Sequence, residues 1–210
     1  LYAGSFFTHQ LSHLWIDFRK IQDAYVREKG SDYFENTCRA THIQQRYAID
    51  NPLKFKGYGA ACWGITASDG PGPACLTIDG VERQFFDYIA RGVPFGPDDG
   101  TLAPWVVVAS LPFAPSIVLP SIEHSVRELH LHADNPYGFK STFNATYPAT
   151  SGAACGWVSP WHYGIDQGPI VLMIENYRSE MLWRLTRQSP YVLSGLRRAD
   201  FRGGWLQDPV

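Results

Sequence analysis

The 210-residue chain carries 18 basic and 20 acidic side chains, a formal charge of -2 and 45% hydrophobic residues, which suits one ordinary globular domain with a core and excludes a disordered segment. Near-neutral charge without a Lys/Arg block gives no broad attraction for phosphate backbones or anionic lipid, so neither nucleic acid nor a membrane is an expected partner. The longest apolar run, around Trp105 to Leu111, is far short of the roughly 18 to 20 residues of a bilayer span, and the start at Leu1 without Met leads us to expect a lost leader or a preceding domain.

In chain order, Leu11, Leu14, Trp15, Phe18, Ile21, Tyr25 and Val26 recur at near-helical spacing, predicting a first helix over 9–29 that Gly30 ends. Asp32 and Glu35 have capping-box spacing and open a second helix, which runs to Asp50 and stops at Asn51-Pro52. So tight a join makes the two an antiparallel hairpin. Residues 52–100 are rich in glycine and proline and punctuated by Phe55, Tyr58, Trp63, Phe85, Phe86 and Tyr88, as in a long functional loop. Helical pattern returns over Thr101–Leu111 and Pro115–Leu131, with Pro112 and Pro115 marking the turn between them. A second irregular stretch, 135–168, holds Tyr137, Phe139, Phe143, Tyr147, Trp157, Trp161 and Tyr163. A last long helix is predicted over Pro169–Gln188 and a short one over Tyr191–Arg198. Strand alternation is scarce, with short hairpins allowed only in the two irregular stretches, and no repeat of fixed period is visible. Cys38, Cys62, Cys75 and Cys155 show no CxxC spacing, against a zinc site or redox pair. Cys62 and Cys75 are either bridged in an oxidising compartment or, with the others, unrelated thiols.

The most informative segment is Gly164-Ile165-Asp166-Gln167-Gly168-Pro169, running on to Tyr177-Arg178. Pro169 suits the first turn of a helix, which sets Asp166 and Gln167 just outside it on the loop side. Asp166 is then either a working carboxylate held over a cleft or an N-terminal cap. His9, His13 and Asp17 are spaced four apart and would stack along one helix face near Arg19 and Asp23. The histidines have zinc-helix spacing, but Gln10 stands where a zinc protease places its Glu and no third ligand is evident, so a hydrogen-bonding or substrate-lining face is preferred to a metal. Trp63 and Asp69, six apart in a loop, have the composition of a sugar site, where an aromatic face stacks on a ring and a carboxylate binds hydroxyls; a structural turn in which Asp69 bonds the backbone of Gly70 and Pro71 is the alternative. Asp98-Asp99 ahead of a helix reads as capping, without the ligands of a calcium loop. His130 and His132 beside Asp134 read as solvated helix-end residues. Glu175 sits amid apolar residues and calls for a partner at Arg178 or Ser179. No nucleophile elbow, phosphate loop or dinucleotide fingerprint is present, which leaves acid-base chemistry by carboxylates.

Several segments together resemble the glucoamylase-like domain family that includes bacterial endo-β-1,2-glucanases, glycoside hydrolase family 144: Phe7-Thr8-His9-Gln10-Leu11-Ser12-His13-Leu14-Trp15-Ile16-Asp17-Phe18-Arg19, Asp32-Tyr33-Phe34-Glu35-Asn36, Trp63-Gly64-Ile65-Thr66-Ala67-Ser68-Asp69-Gly70-Pro71, Asp99-Gly100-Thr101 and the Gly164 to Ser179 stretch. The resemblance implies an all-α fold, an (α/α)6 barrel of twelve helices, with residues 1–210 as the C-terminal half of one glycosidase domain. It also implies hydrolysis of β-1,2-glucan with inversion, the general acid lying outside this chain. By the same resemblance Asp166 is expected as the base-side carboxylate with Asp69 as the second catalytic position, and His9, His13, Trp15, Asp17, Arg19, Trp63, Thr66, Glu175 and Tyr177 as substrate-binding residues. No metal or cofactor is expected. The expected partners are an oligo- or polysaccharide and either the other half of the barrel or a second copy covering the exposed inner helix faces; a periplasmic or secreted location follows from the same likeness. The chain departs from the family pattern at Thr37-Cys38-Arg39-Ala40-Thr41 and at Ala60-Ala61-Cys62, beside Trp63. A transglycosylase domain of a cyclic β-1,2-glucan synthase and a non-catalytic carbohydrate-binding module are the competing readings.

Overall fold

The computed structural model describes residues 2, 4–133, 136–148 and 155–207. Its N-terminal segment is not the long helix that periodicity predicts. Two short 3-10 turns, Phe6–His9 and Leu11–Leu14, are followed by extended chain and by a single short helix α1, Ala24–Glu28. The cause is tertiary. The carbonyls of this segment accept from distant side chains: that of His9 from Thr37 Oγ1 at 2.9 Å, of His13 from Trp183 Nε1 at 2.7 Å, of Leu14 from Asn176 Nδ2 at 3.0 Å and of Asp17 from Trp205 Nε1 at 2.8 Å. Such bonds satisfy backbone groups that a helix would otherwise pair internally, so the spaced apolar residues serve several small cores at once. His9, His13 and Asp17 consequently do not form one helical stripe.

Helix α2, Tyr33–Asp50, forms as expected: Asp32 accepts from the Glu35 amide, and Asn51 ends the helix in the left-handed region, φ 41°. The first irregular stretch contains strands β1 (Ala67–Ser68), β2 (Ala74–Ile78), β3 (Val81–Phe85) and β4 (Ile89–Ala90), paired as β1 with β4 and β2 with β3, both antiparallel. The β2–β3 hairpin turns on Asp79-Gly80, both at positive φ, as a two-residue primed turn requires. The sequence-based expectation of an all-α fold is therefore amended: the molecule is helix-rich, with short ladders in its loops. Helix α3, Pro104–Val108, is shorter than predicted, because Leu102 pairs with Phe143 and the Ala103 amide with the Gly64 carbonyl before the helix can start.

All five residues of α3 are buried, and a helix apolar on every side belongs at the centre of a core. It packs against α4 (Pro115–Arg127) and α5 (Gly164–Ser179), and its side chains join Phe6, Trp63, Val118 and Ile170 in the largest apolar cluster. A third ladder joins β5 (Phe143–Asn144) to β6 (Trp157–Val158). The last long helix predicted from Pro169 to Gln188 is instead α5 followed by α6, Met181–Arg187. They are broken at Glu180 with φ 56°, where the Asn176 carbonyl accepts the Glu180 amide. Helix α7, Pro190–Arg198, is capped by Ser189 and agrees with expectation.

Candidate active site

Three loop ends and one helix start converge on a cavity of about 240 Å³ lined by Phe7, Leu11, Asp69, Tyr88, Trp105, Ser141, Tyr163, Ile165 and Asp166, among others. Strand β1 delivers Asp69 immediately past its end, Ser141 and Thr142 precede β5, Ser159 follows β6, and Asp166 occupies the first turn of α5. The ladders that carry these residues are only two residues long. They are braced by Arg91, fully buried with Asp99, whose guanidinium meets both carboxylate oxygens at 2.8 Å and reaches the Ser68 carbonyl at 2.6 Å. The residue before Asp69 is thus tied to a buried ion pair. Asp99 does not cap α3, as its sequence position suggested, and Asp98 accepts from the Tyr47 and Tyr58 hydroxyls.

Asp69 makes no backbone turn through its side chain. Its Oδ1 accepts from Ser141 Oγ at 3.0 Å and Thr142 Oγ1 at 2.9 Å, and its Oδ2 accepts from Ser159 Oγ. Ser141 Oγ also lies 2.7 Å from Asp166 Oδ2, so one hydroxyl bridges the two carboxyls. Asp166 does not lie outside its helix: α5 begins two residues earlier, at Gly164, and Pro169 falls inside it. Nor does Asp166 cap the helix, since its carboxyl turns to Ser141. Burial pushes Asp166 up to about 6 and the neighbouring Asp69 charge adds to the rise, while the Ser141 hydroxyl opposes it. Tyr163 is raised by burial and by the same two carboxylates together with Asp87.

The other residues expected at the site are elsewhere. Trp63 is 2% exposed, its indole N–H donating to Ser121 Oγ at 2.8 Å within the core; a buried indole has no face to offer a sugar. Thr66 is fully buried and accepts the Phe7 amide at 3.0 Å. His9 and His13 line a second cavity of about 560 Å³ with Tyr2, Ser12, Tyr33 and Asn36. Thr37 Oγ1 faces two carbonyls and, at 3.1 Å, His13 Nε2. With one proton to give, it accepts from Nε2, which leaves Nδ1 bare; burial lowers His13 to about 3 and keeps it neutral. Asp17 is buried and paired with Arg19 and Arg187, and Arg19 also bonds Glu180 at 2.8 Å, an ion-pair cluster that clamps the chain end to α6. Trp15 and Tyr177 are exposed, and Glu175 accepts from Ser179 on its own helix, with Arg178 4.0 Å away. None of these nine residues lines the cavity that holds Asp69 and Asp166.

Sequence reasoning missed Ser141, Thr142, Ser159, Tyr88, Tyr163 and Trp105. Trp105 is marked in sequence only as the start of the longest apolar run, and the hydroxyls follow no periodic pattern. All four cysteines are free, with Cys75 exposed and Cys62 buried, so the two are not bridged. The Asp134 expected beside His130 and His132 lies outside the described residues.

Comparison with known proteins gives this geometry a family. A curated relative from Parabacteroides distasonis, an exo β-1,2-glucooligosaccharide sophorohydrolase acting at the non-reducing end, is 34% identical over 93% of this chain, which spans 23% of that protein. A crystal structure from Bacteroides uniformis described as a putative glucoamylase superposes with TM-score 0.78 at 36% identity, covering 97% of this chain and 42% of its own. An endo-β-1,2-glucanase from Chitinophaga pinensis, solved with sophorotriose and glucose, superposes with TM-score 0.76 at 31% identity, covering 98% of this chain and 43% of its own. The chain therefore spans under half the length of the solved structures it matches. The resemblance read from the residues alone is borne out. The family model described as "Putative glucoamylase" matches residues 1–190, and the chain belongs to that family.

Proposed function

We propose that the protein containing this chain hydrolyses β-1,2-glucan with inversion at the anomeric carbon, and that Asp166 is its base-side carboxylate. The observation that carries the reading is the paired carboxyls Asp69 and Asp166 in an aromatic-walled cavity, within a family where the curated relative and the Chitinophaga enzyme bear β-1,2-glucan activities in their names. Asp166 stands at the cavity with its acidity tuned near neutrality, as a general base needs. It takes a proton from water as the water oxygen attacks the anomeric carbon, and an acid gives a proton to the departing glycosidic oxygen. Inversion places that acid roughly 6.5 to 9.5 Å away, across a gap that admits the water. Ser141 fills the gap between Asp166 and Asp69, so Asp69 orients rather than serving as the acid. The acid is expected in the part of the protein outside this chain.

The same reading makes this chain the C-terminal half of an (α/α)6 barrel. The 42 to 43% of the solved relatives that the chain spans supports it. Product analysis of the full-length protein on linear β-1,2-glucan tests the function. Short β-1,2-linked oligosaccharides released first as the α-anomer are expected. An untouched β-1,2-glucan beside a cleaved different glucan would overturn the substrate, a β-anomer formed first would overturn inversion, and cyclic products would favour transglycosylation.

A further inference from the structure

Ser141 is 2% exposed and sits between two carboxyls, 2.7 Å from Asp166 Oδ2 and 3.0 Å from Asp69 Oδ1. A serine hydroxyl has one proton, so it can donate to only one of them at a time. Were both carboxyls ionised, the other contact would set a lone pair against a negative oxygen at hydrogen-bond distance. Asp69 does not depend on Ser141, because Thr142 serves its Oδ1 and Ser159 its Oδ2. Asp166 has no other side-chain donor among the described residues. The titratable groups around it are Asp69, Tyr88 and Tyr163, which line the same cavity. Among the described residues no lysine, arginine or histidine lines it, and Arg91, which reaches the Ser68 carbonyl, is already paired with Asp99.

We propose that Ser141 is the positioning residue that couples the two carboxyls: its hydroxyl proton points to Asp69 while Asp166 holds a proton and donates to Ser141 Oγ, and turns to Asp166 when Asp166 ionises. The proton balance is simple. Asp166 loses one proton to solvent, the serine proton stays on its oxygen and changes acceptor, and Asp69 keeps the donors from Thr142 and Ser159 throughout. A fixed pair of carboxyls becomes an ordered set in which Asp69 keeps its donors and Asp166 is the group that gives up and takes back a proton. As a reading of one residue's role this rests on the assignment of Asp166 as the base, but the coupling itself exists whether or not the glucan is the substrate.

The test uses the full-length protein and two readouts. Infrared titration of the protonated carboxyl band, assigned to Asp166 by its loss in Asp166→Asn, gives the ionisation midpoint without any substrate. In Ser141→Ala the ionised Asp166 loses its hydroxyl donor and the protonated form loses its acceptor; the bond to the charged form is the stronger, so the midpoint should rise by about one pH unit. The acid limb of the kcat/KM profile on β-1,2-glucan should rise with it, and Ser141→Thr, which keeps the hydroxyl, should return both towards wild type. Ser141→Cys, a weaker donor of similar volume, carries the same upward expectation should the alanine variant not fold. An infrared midpoint unmoved in a folded Ser141→Ala or Ser141→Cys protein overturns the coupling. A midpoint that moves in a protein inert towards β-1,2-glucan leaves the coupling standing and overturns the substrate instead.

Discussion

Replacing Asp166 by Asn should make the protein both inactive and more stable at neutral pH, a combination that separates a working carboxylate from a structural one. Burial holds the folded carboxyl at about 6 against an ordinary 3.8. Below about pH 4 the carboxyl is protonated whether the chain is folded or not, and costs nothing. Between about 4 and 6 the unfolded carboxyl has ionised while the folded one keeps its proton, so stability is lost as the pH rises, and above 6 the loss is constant. Two pH units at 1.36 kcal/mol each set an upper limit of about 3 kcal/mol. Solvent reaching the group through the cavity mouth screens part of it, leaving about 1 to 2 kcal/mol. Asn keeps the shape and can still accept from Ser141, but carries no charge to desolvate. Denaturant unfolding of full-length wild type and Asp166→Asn at pH 4 and pH 7.5 should show a difference near zero at the acid end and an advantage of about 1 to 2 kcal/mol for the variant at the other. Turnover should fall about 10²- to 10⁴-fold, as when a general base is removed. A variant less stable at pH 7.5, or a difference that does not change with pH, would refute the account of Asp166 as a carboxylate held at a cost.

Arg91→Met should cost about 3 to 5 kcal/mol in unfolding free energy by stranding the buried Asp99 charge; a loss under 1 kcal/mol would show that the pair does not brace the β1 end. Gly70→Ala would set a Cβ 2.1 Å from Arg91 Nη2 and 2.5 Å from the Phe86 carbonyl, and since that guanidinium is tied down by several bonds, a loss of about 1 to 3 kcal/mol is expected by calorimetry. Trp63→Phe should lower the unfolding midpoint through the lost bond to Ser121 and leave KM for glucan unchanged. A raised KM at unchanged stability would restore the stacking role that the Trp-Gly segment suggests in sequence.

The parts of the fold legible in sequence are those whose ends carry their own chemistry. Asp32 and Glu35 announced α2 and Asn51-Pro52 closed it, because caps act within four residues. The N-terminal segment failed that test. Its spacing is helical, but Thr8, placed where a cap would stand, donates to the Ser5 carbonyl, and side chains more than a hundred residues away, Trp183, Asn176 and Trp205, take the carbonyls that a helix would need. Periodicity reports which residues are apolar, not which partner claims the backbone. The break at Glu180 was equally silent, since neither Gly nor Pro stands there and the left-handed residue is a glutamate.

At the site, the carboxylates were legible and their setting was not. Asp69 and Asp166 stand in Gly- and Pro-marked segments, where an acidic residue is conspicuous and its two fates, cap or working group, can both be named. The hydroxyls that decide between those fates come from Ser141, Thr142 and Ser159, which flank strands of two residues in a stretch without alternation. Nothing local distinguishes them from solvent-exposed serines, because what buries them is the closure of three separate loops on one point. Trp63 erred in the opposite direction: its glycine-rich neighbourhood suggested an open loop, yet Gly64 at φ 106° lets the backbone press within reach of Val107 and Ala103, drawing the indole into the core. Composition identified the residue types of a sugar site here; only the packing of α3 against the loops determined which aromatics, Trp105 and Tyr163 rather than Trp63, face the cavity.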